Sequence, residues 1–199
     1  MKISKLEAAR RQLVTSIRLL FEDADSISVY TLAHASWEVL DALCKHEGKL
    51  RFRAEMSGAN RMSEKAIKKI ASHGRNFFKH ADNDPEDVLE DFDDTLNDHV
   101  LIAATMDYSV LASSKPMEVQ LYPLWYFAVY PEKLLLPAMN DIRDASDQLF
   151  PGLSSAPRDR QKAAGLSALV QSLRDKSLMS HPSTDRSSMR AIAPSERPH

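Results

Sequence analysis

The stretch Val29-Tyr30-Thr31-Leu32-Ala33-His34-Ala35-Ser36-Trp37-Glu38-Val39-Leu40-Asp41-Ala42-Leu43-Cys44 decides the fold. Its apolar residues, Val29, Tyr30, Leu32, Ala33, Trp37, Leu40 and Leu43, fall nearly all round a helix of about 3.6 residues per turn. A helix that is apolar on most sides is buried by its neighbours, so this one is expected at the centre of an all-α bundle. Asp23-Ala24-Asp25-Ser26 breaks the chain before it, with Ser26 as the expected cap. Gly48 stops it after Lys45 or His46.

Working outward, a helix is predicted from Ser4 to Phe21. Ser4 and Glu7 have capping-box spacing, and Leu6, Ala9, Leu13, Ile17, Leu20 and Phe21 form the apolar stripe. Residues 49–62 read as a locally basic loop around Ser57-Gly58. Ser63 caps a third helix, which Asp82-Asn83-Asp84-Pro85 ends because proline removes a backbone donor. An acidic connector from Glu86 to Asp94 leads to a fourth helix, Thr95 to Leu111. Pro116, Pro123, Pro131 and Pro137 are expected to chop the following aromatic-rich segment into short helical pieces before a helix over Pro137–Phe150. The expected organisation is a bundle of about five to six helices over 1–150, a loosely attached helix over 151–175 and a disordered tail over 176–199.

Composition bounds the function. The chain has 199 residues, 43% hydrophobic and 27% charged, enough to bury a core without metals or disulfides. The single cysteine, Cys44, excludes an internal disulfide framework and a multi-cysteine zinc site, and fits a reducing, cytoplasmic setting. No secretory leader is expected behind Met1-Lys2-Ile3-Ser4-Lys5, and no apolar run reaches the roughly 18 residues of a membrane span. The formal net charge of −2 carries no general basic footprint for nucleic acid, so any RNA contact must be local.

One segment carries candidate chemistry: Arg75-Asn76-Phe77-Phe78-Lys79-His80-Ala81-Asp82. Histidine titrates near neutral pH, so His80 can move a proton at a ribose 2′-hydroxyl. The guanidinium of Arg75 can hold a phosphate, and Asn76 can orient His80 or bind phosphate. On a regular helix Asn76 and His80 are four residues apart and can touch, whereas Arg75 lies about 140° away from His80. The competing reading is structural: Asn76 and His80 bond at a helix seam while Arg75 pairs with Asp82 or Glu86.

Arg75-Asn-Phe-Phe-Lys-His80 resembles the Arg, four to six residues, His signature of HEPN domains, in which an Asn commonly follows the Arg. The resemblance implies an all-helical, metal-independent endoribonuclease of toxin or defence type, acting as a homodimer whose two motifs meet across the interface. It implies catalytic roles for Arg75, Asn76 and His80, RNA as substrate, and an antitoxin or other protein as partner, with no cofactor and no metal. A dimer would let Arg75 of one subunit serve His80 of the other. Over residues 4–130 the chain also resembles a group of uncharacterised bacterial proteins, through Lys5-Leu6-Glu7-Ala8-Ala9, Gln12-Leu13, Tyr30-Thr31-Leu32-Ala33 and Asn76-Phe-Phe-Lys-His-Ala-Asp82; that resemblance carries no activity. The alternative expectation is a non-catalytic helical interaction protein.

Other groupings are weaker. His34 and Glu38, with Asp41, have the spacing of a carboxylate-bridged metal site, but only His99 with Asp98, or His80 with Asp82, can complete it. A packed polar patch that tunes His80 is the other reading of His34 and Glu38. Cys44 sits among Leu40, Ala42 and Leu43 and reads as a buried thiol. The aromatic run Tyr122 to Tyr130 reads as core or dimer contact rather than a base-stacking surface. Lys49, Arg51, Arg53 and Arg61 can guide a phosphate backbone, or simply lie solvated in a loop.

Overall fold

In a computed structural model of the chain, the described residues are 2–60, 63–65, 74, 77–78, 85–90, 92–134 and 140–186, with backbone alone at 58–60 and 140. Their regular secondary structure is helical, with no strand among them. The α-helices are α1 (Lys5–Phe21), α2 (Ser26–His46), α3 (Phe52–Asn60), α4 (Leu96–Leu111), α5 (Met117–Val129), α6 (Asn140–Leu149), α7 (Arg158–Arg174) and α8 (Lys176–Ser180). None is long and apolar enough to cross a membrane.

Helix α2 is central, packed along α1 on one side and α4 on the other. The shared core brings together Leu13 and Ile17 of α1, Val29, Ala33 and Leu40 of α2, Leu101 and Ala104 of α4, and Tyr122 and Trp125 of α5. Burying each large side chain of this kind contributes roughly 1.5–3 kcal/mol.

The helix ends follow from local chemistry. Ser4 accepts the Glu7 N–H at 3.1 Å, one half of a capping box. The other half is missing because the Glu7 carboxylate turns to Arg10 and Arg11 instead. Bonding to Arg10 holds that carboxyl down at about 2, well below the ordinary carboxylate range. Asp25, not Ser26, caps α2, accepting the Ser28 N–H at 2.7 Å. At the far end Gly48 has a φ of 65°, Gly48 N–H donates to the Lys45 carbonyl and Lys49 N–H to the Cys44 carbonyl. That is the Schellman arrangement, which places glycine in the left-handed region.

Four further expectations are corrected. The basic loop expected at 49–62 contains helix α3, and its Arg51 and Arg53 point inward to carboxylates. Pro123 does not break the aromatic segment: α5 runs through it from Met117 to Val129. A proline inside a helix costs about 3 kcal/mol, and the burial of Leu121, Tyr122, Trp125 and Phe127 around it outweighs that. Helix α7 is not loosely attached, since it docks on α1 and α5 with Leu169 in the core. Beyond it, where a tail was expected from 176, α8 forms and the chain returns to bridge Lys115 with Thr184, while Asp185 approaches Arg10 at 3.6 Å. Residues 187–199 of that tail, and most of the helix expected from Ser63, lie outside the described residues.

Candidate functional site

The expected catalytic residues Arg75, Asn76 and His80 lie outside the described residues. The described neighbours within the same segment, Gly74, Phe77 and Phe78, are helical. Phe78 sets its ring edge-on to Tyr30 of α2 at 5.9 Å and to Phe92 at 5.4 Å. A Cβ added at Gly74 would stand 3.3 Å from both the Tyr30 and Phe78 rings, so a side chain there would require those rings to give by a few tenths of an ångström.

From Tyr30 an aromatic line continues along α2. His34 lies 5.3 Å from Tyr30, centroid to centroid, and Trp37 5.6 Å from His34. His34 is fully buried. Trp37 then meets Asp107 of α4, its indole Nε1 donating to Oδ2 at 3.1 Å. The other oxygen of Asp107 accepts the Phe52 N–H at 2.7 Å, at the start of α3. Asp107 thereby fastens α2, α3 and α4 together, and burial pushes its carboxyl up to about 6. The Cys44 thiol donates to the Asp107 carbonyl at 3.4 Å, and burial pushes it up to about 12, far from a reactive thiolate.

Beside this latch lies a cleft of about 160 Å³ lined by His34, Trp37, Glu38, Asp41, Ala42 and Arg53. Arg53 Nη2 donates to Asp41 Oδ2 at 2.6 Å, and Arg51 forms a two-pronged pair with Glu64 at 2.8 and 2.9 Å. Arg51 and Arg53, expected to guide a phosphate backbone, are thus engaged within the protein, while Arg61 lies outside the described residues. The sequence reading missed Asp107, Arg53 and Glu64 as partners. Its available signal was Asp107 itself, a carboxylate amid the apolar run of α4.

The metal grouping considered for His34, Glu38 and Asp41 is not completed by His99 and Asp98. His99 shares a hydrogen bond with the Tyr126 hydroxyl at 2.9 Å, and Asp98 takes both prongs of Arg158 at 2.8 Å and the Tyr130 hydroxyl at 2.8 Å. Among the described residues no three His, Cys, Asp or Glu side chains are grouped to hold a metal ion. His80 and Asp82, the other pair considered, lie outside the described residues.

Compared with protein-family models, curated proteins and solved structures, the chain matches none of them.

Proposed function

We propose that the chain is a HEPN-like cytoplasmic endoribonuclease that works without a metal, with Arg75, Asn76 and His80 meeting across a homodimer. The observation that supports this reading best is the seating of Gly74 and Phe78 on Tyr30. It holds Gly74 and Phe78 against the central helix of an all-α bundle, the kind of support that a rigid catalytic constellation requires. In this reading His80 removes the proton of a ribose 2′-hydroxyl, whose oxygen bonds to the adjacent phosphorus. The P–O5′ bond breaks, the departing O5′ takes a proton from water, and His80 gives up the proton it gained to solvent. Arg75 balances the charge gathering on the phosphoryl oxygens, and Asn76 orients His80. The products are a 2′,3′-cyclic phosphate and a 5′-hydroxyl.

The test is cleavage of structured and unstructured RNA in EDTA by the wild type, His80→Ala and Arg75→Ala, with folding followed by circular dichroism. EDTA-resistant cleavage leaving cyclic phosphate ends, reduced at least ~10²-fold in both folded variants, is the expected outcome. Cleavage that vanishes with EDTA, or that persists in both variants, contradicts it.

A second reading, a non-catalytic interaction module, draws on the ion pairs. Arg10, Arg18, Arg51, Arg53, Arg158 and Lys162 all pair with carboxylates of the same chain. Cations so engaged contribute little to holding a nucleic-acid backbone. Absence of cleavage by a folded wild type would leave this reading standing.

A further inference from the structure

Residues 176–186 lie back on the bundle as an arm. Met179, within α8, is buried and joins the core. Beyond it Lys115 N–H donates to the Ser183 carbonyl at 2.8 Å, and Asp185 N–H donates to the Lys115 carbonyl at 2.9 Å. Gln120 Nε2 donates to Thr184 Oγ1 at 3.2 Å, and Asp185 pairs with Arg10 of α1. The arm is thus held by α1, by α5 and by the turn before α5, through contacts that any copy of the chain can supply.

A single residue connects the arm to α7. Asp175 ends α7 and caps α8, its Oδ1 accepting the Ser177 and Leu178 N–H groups at 2.8 and 3.1 Å. Its own N–H still donates to the Gln171 carbonyl at 3.1 Å, as in a continuing helix. Its φ of −74° is helical, and its ψ of 109° alone turns the chain back. No glycine or proline interrupts the sequence between Gly165 and Pro182, and Arg174, Asp175 and Lys176 are all exposed. Bringing that one ψ to the helical value of about −42° would fuse α7 and α8 into one helix. The N–H groups of Ser177 and Leu178 would pass from the Asp175 carboxylate to the carbonyls of Leu173 and Arg174, so neither donor is orphaned. The fused arm leaves its own seat and carries the surface that fits the same seat on a second copy.

Closed chain and exchanged dimer share the contacts of the arm and differ at the hinge and in the cost of association, the condition under which exchange is a low-cost route to a dimer. We infer that residues 176–186 are an exchangeable arm that seats on Lys115 and Gln120 of a second copy, joining two chains when α7 and α8 fuse. The inference does not rest on the ribonuclease reading, since it invokes neither Arg75 nor His80.

The experiment uses two full-length preparations of different mass, Lys115→Cys with a terminal tag and Thr184→Cys without one. They are mixed, unfolded, refolded together at high protein concentration and oxidised, with folding followed by circular dichroism. Positions 115 and 184 face each other across the bridge, so an exchanged arm brings the two thiols together from different chains. The native Cys44 is buried away from them. A disulfide-linked species of mixed mass, well above the linked dimers of either preparation alone, is expected. Asp175→Ala removes the cap of α8 and favours the fused helix, so it should raise the ratio of linked to unlinked chains at least about tenfold. Lys176→Pro should lower that ratio at least about tenfold, because proline suits the first position of α8, holds Asp175 out of the helical region and cannot continue α7. Folded preparations that give no more mixed species together than alone show that the arm stays on its own chain, and overturn the inference. So does a yield that Lys176→Pro leaves unchanged. RNA cleavage and this cross-link report on different residues, so either reading can fail while the other stands.

Discussion

At the scale of single residues, two positions hold opposing demands that a substitution can separate. Gly165 of α7 lies against the Phe21 ring, and an added Cβ would enter that ring's van der Waals space. Phe21 has little room to yield, since it stacks on Tyr122 and meets Trp125 edge-on. On an exposed helix Gly→Ala stabilises by about 1 kcal/mol; here overpacking of about 1–3 kcal/mol outweighs it. Gly165→Ala should therefore lower the melting temperature by several degrees, and a rise would contradict the packing described. Asp107 is the second position. Its folded-state pKa of about 6 stands above the usual carboxylate value near 4, so its contribution to stability is fully present below about pH 4 and is lost as pH rises through 6. The loss is on the order of 2–3 kcal/mol. Urea unfolding at pH 4 and pH 7.5 should show the wild type losing that much relative to Asp107→Asn across the window. An unchanged gap between the two would show that Asp107 does not carry the raised pKa. Neither feature was legible beforehand. Gly165 looked like an ordinary helix glycine, and the burial of Asp107 depends on α3, which a basic, loop-like sequence concealed.

At the scale of elements, what could be read was what repeats. The stripes of α1, α2 and α4 gave boundaries within a residue or so of the structure, because their burial follows the helical period directly. Helices α3, α5 and α7 depended on partners remote in sequence. Phe52 N–H needs Asp107, Pro123 is tolerated only amid burial, and α7 is fastened by buried ion pairs rather than by a broad apolar face. Arg158 pairs with fully buried Asp98 and lies over the Trp125 ring at 5.7 Å, while Lys162 reaches Asp94 and Asp23 at 2.6 and 2.7 Å. Removing one member of a buried pair leaves an uncompensated charge, which typically costs about 3–5 kcal/mol. Arg158→Ala should lose stability of that order in urea. A loss below about 1 kcal/mol would mean that α7 is held by its apolar contacts alone.

At the scale of the whole molecule, the all-α bundle with a central α2 was legible from composition and period, because few Gly, no disulfide pair and three strong helical stripes leave little else. The site was legible only in part. Arg75, Asn76 and His80 were identifiable as a short pattern, whereas the cleft at Asp41 and Arg53 lies between α2 and α3, whose meeting no local pattern encodes. Gly74 and Phe78 sit against Tyr30, and His34, which lines the cleft, is one turn further along the same helix. The most direct test of a catalytic pair shared between subunits is complementation. Arg75→Ala and His80→Ala, each inactive alone, would be mixed, briefly unfolded, refolded together and assayed for RNA cleavage in EDTA. A mixed dimer keeps one intact Arg75 and His80 pair across its interface, so cleavage should return to a substantial fraction of wild type. A refolded mixture as inactive as its parents, beside an active wild type treated in the same way, would contradict the shared site.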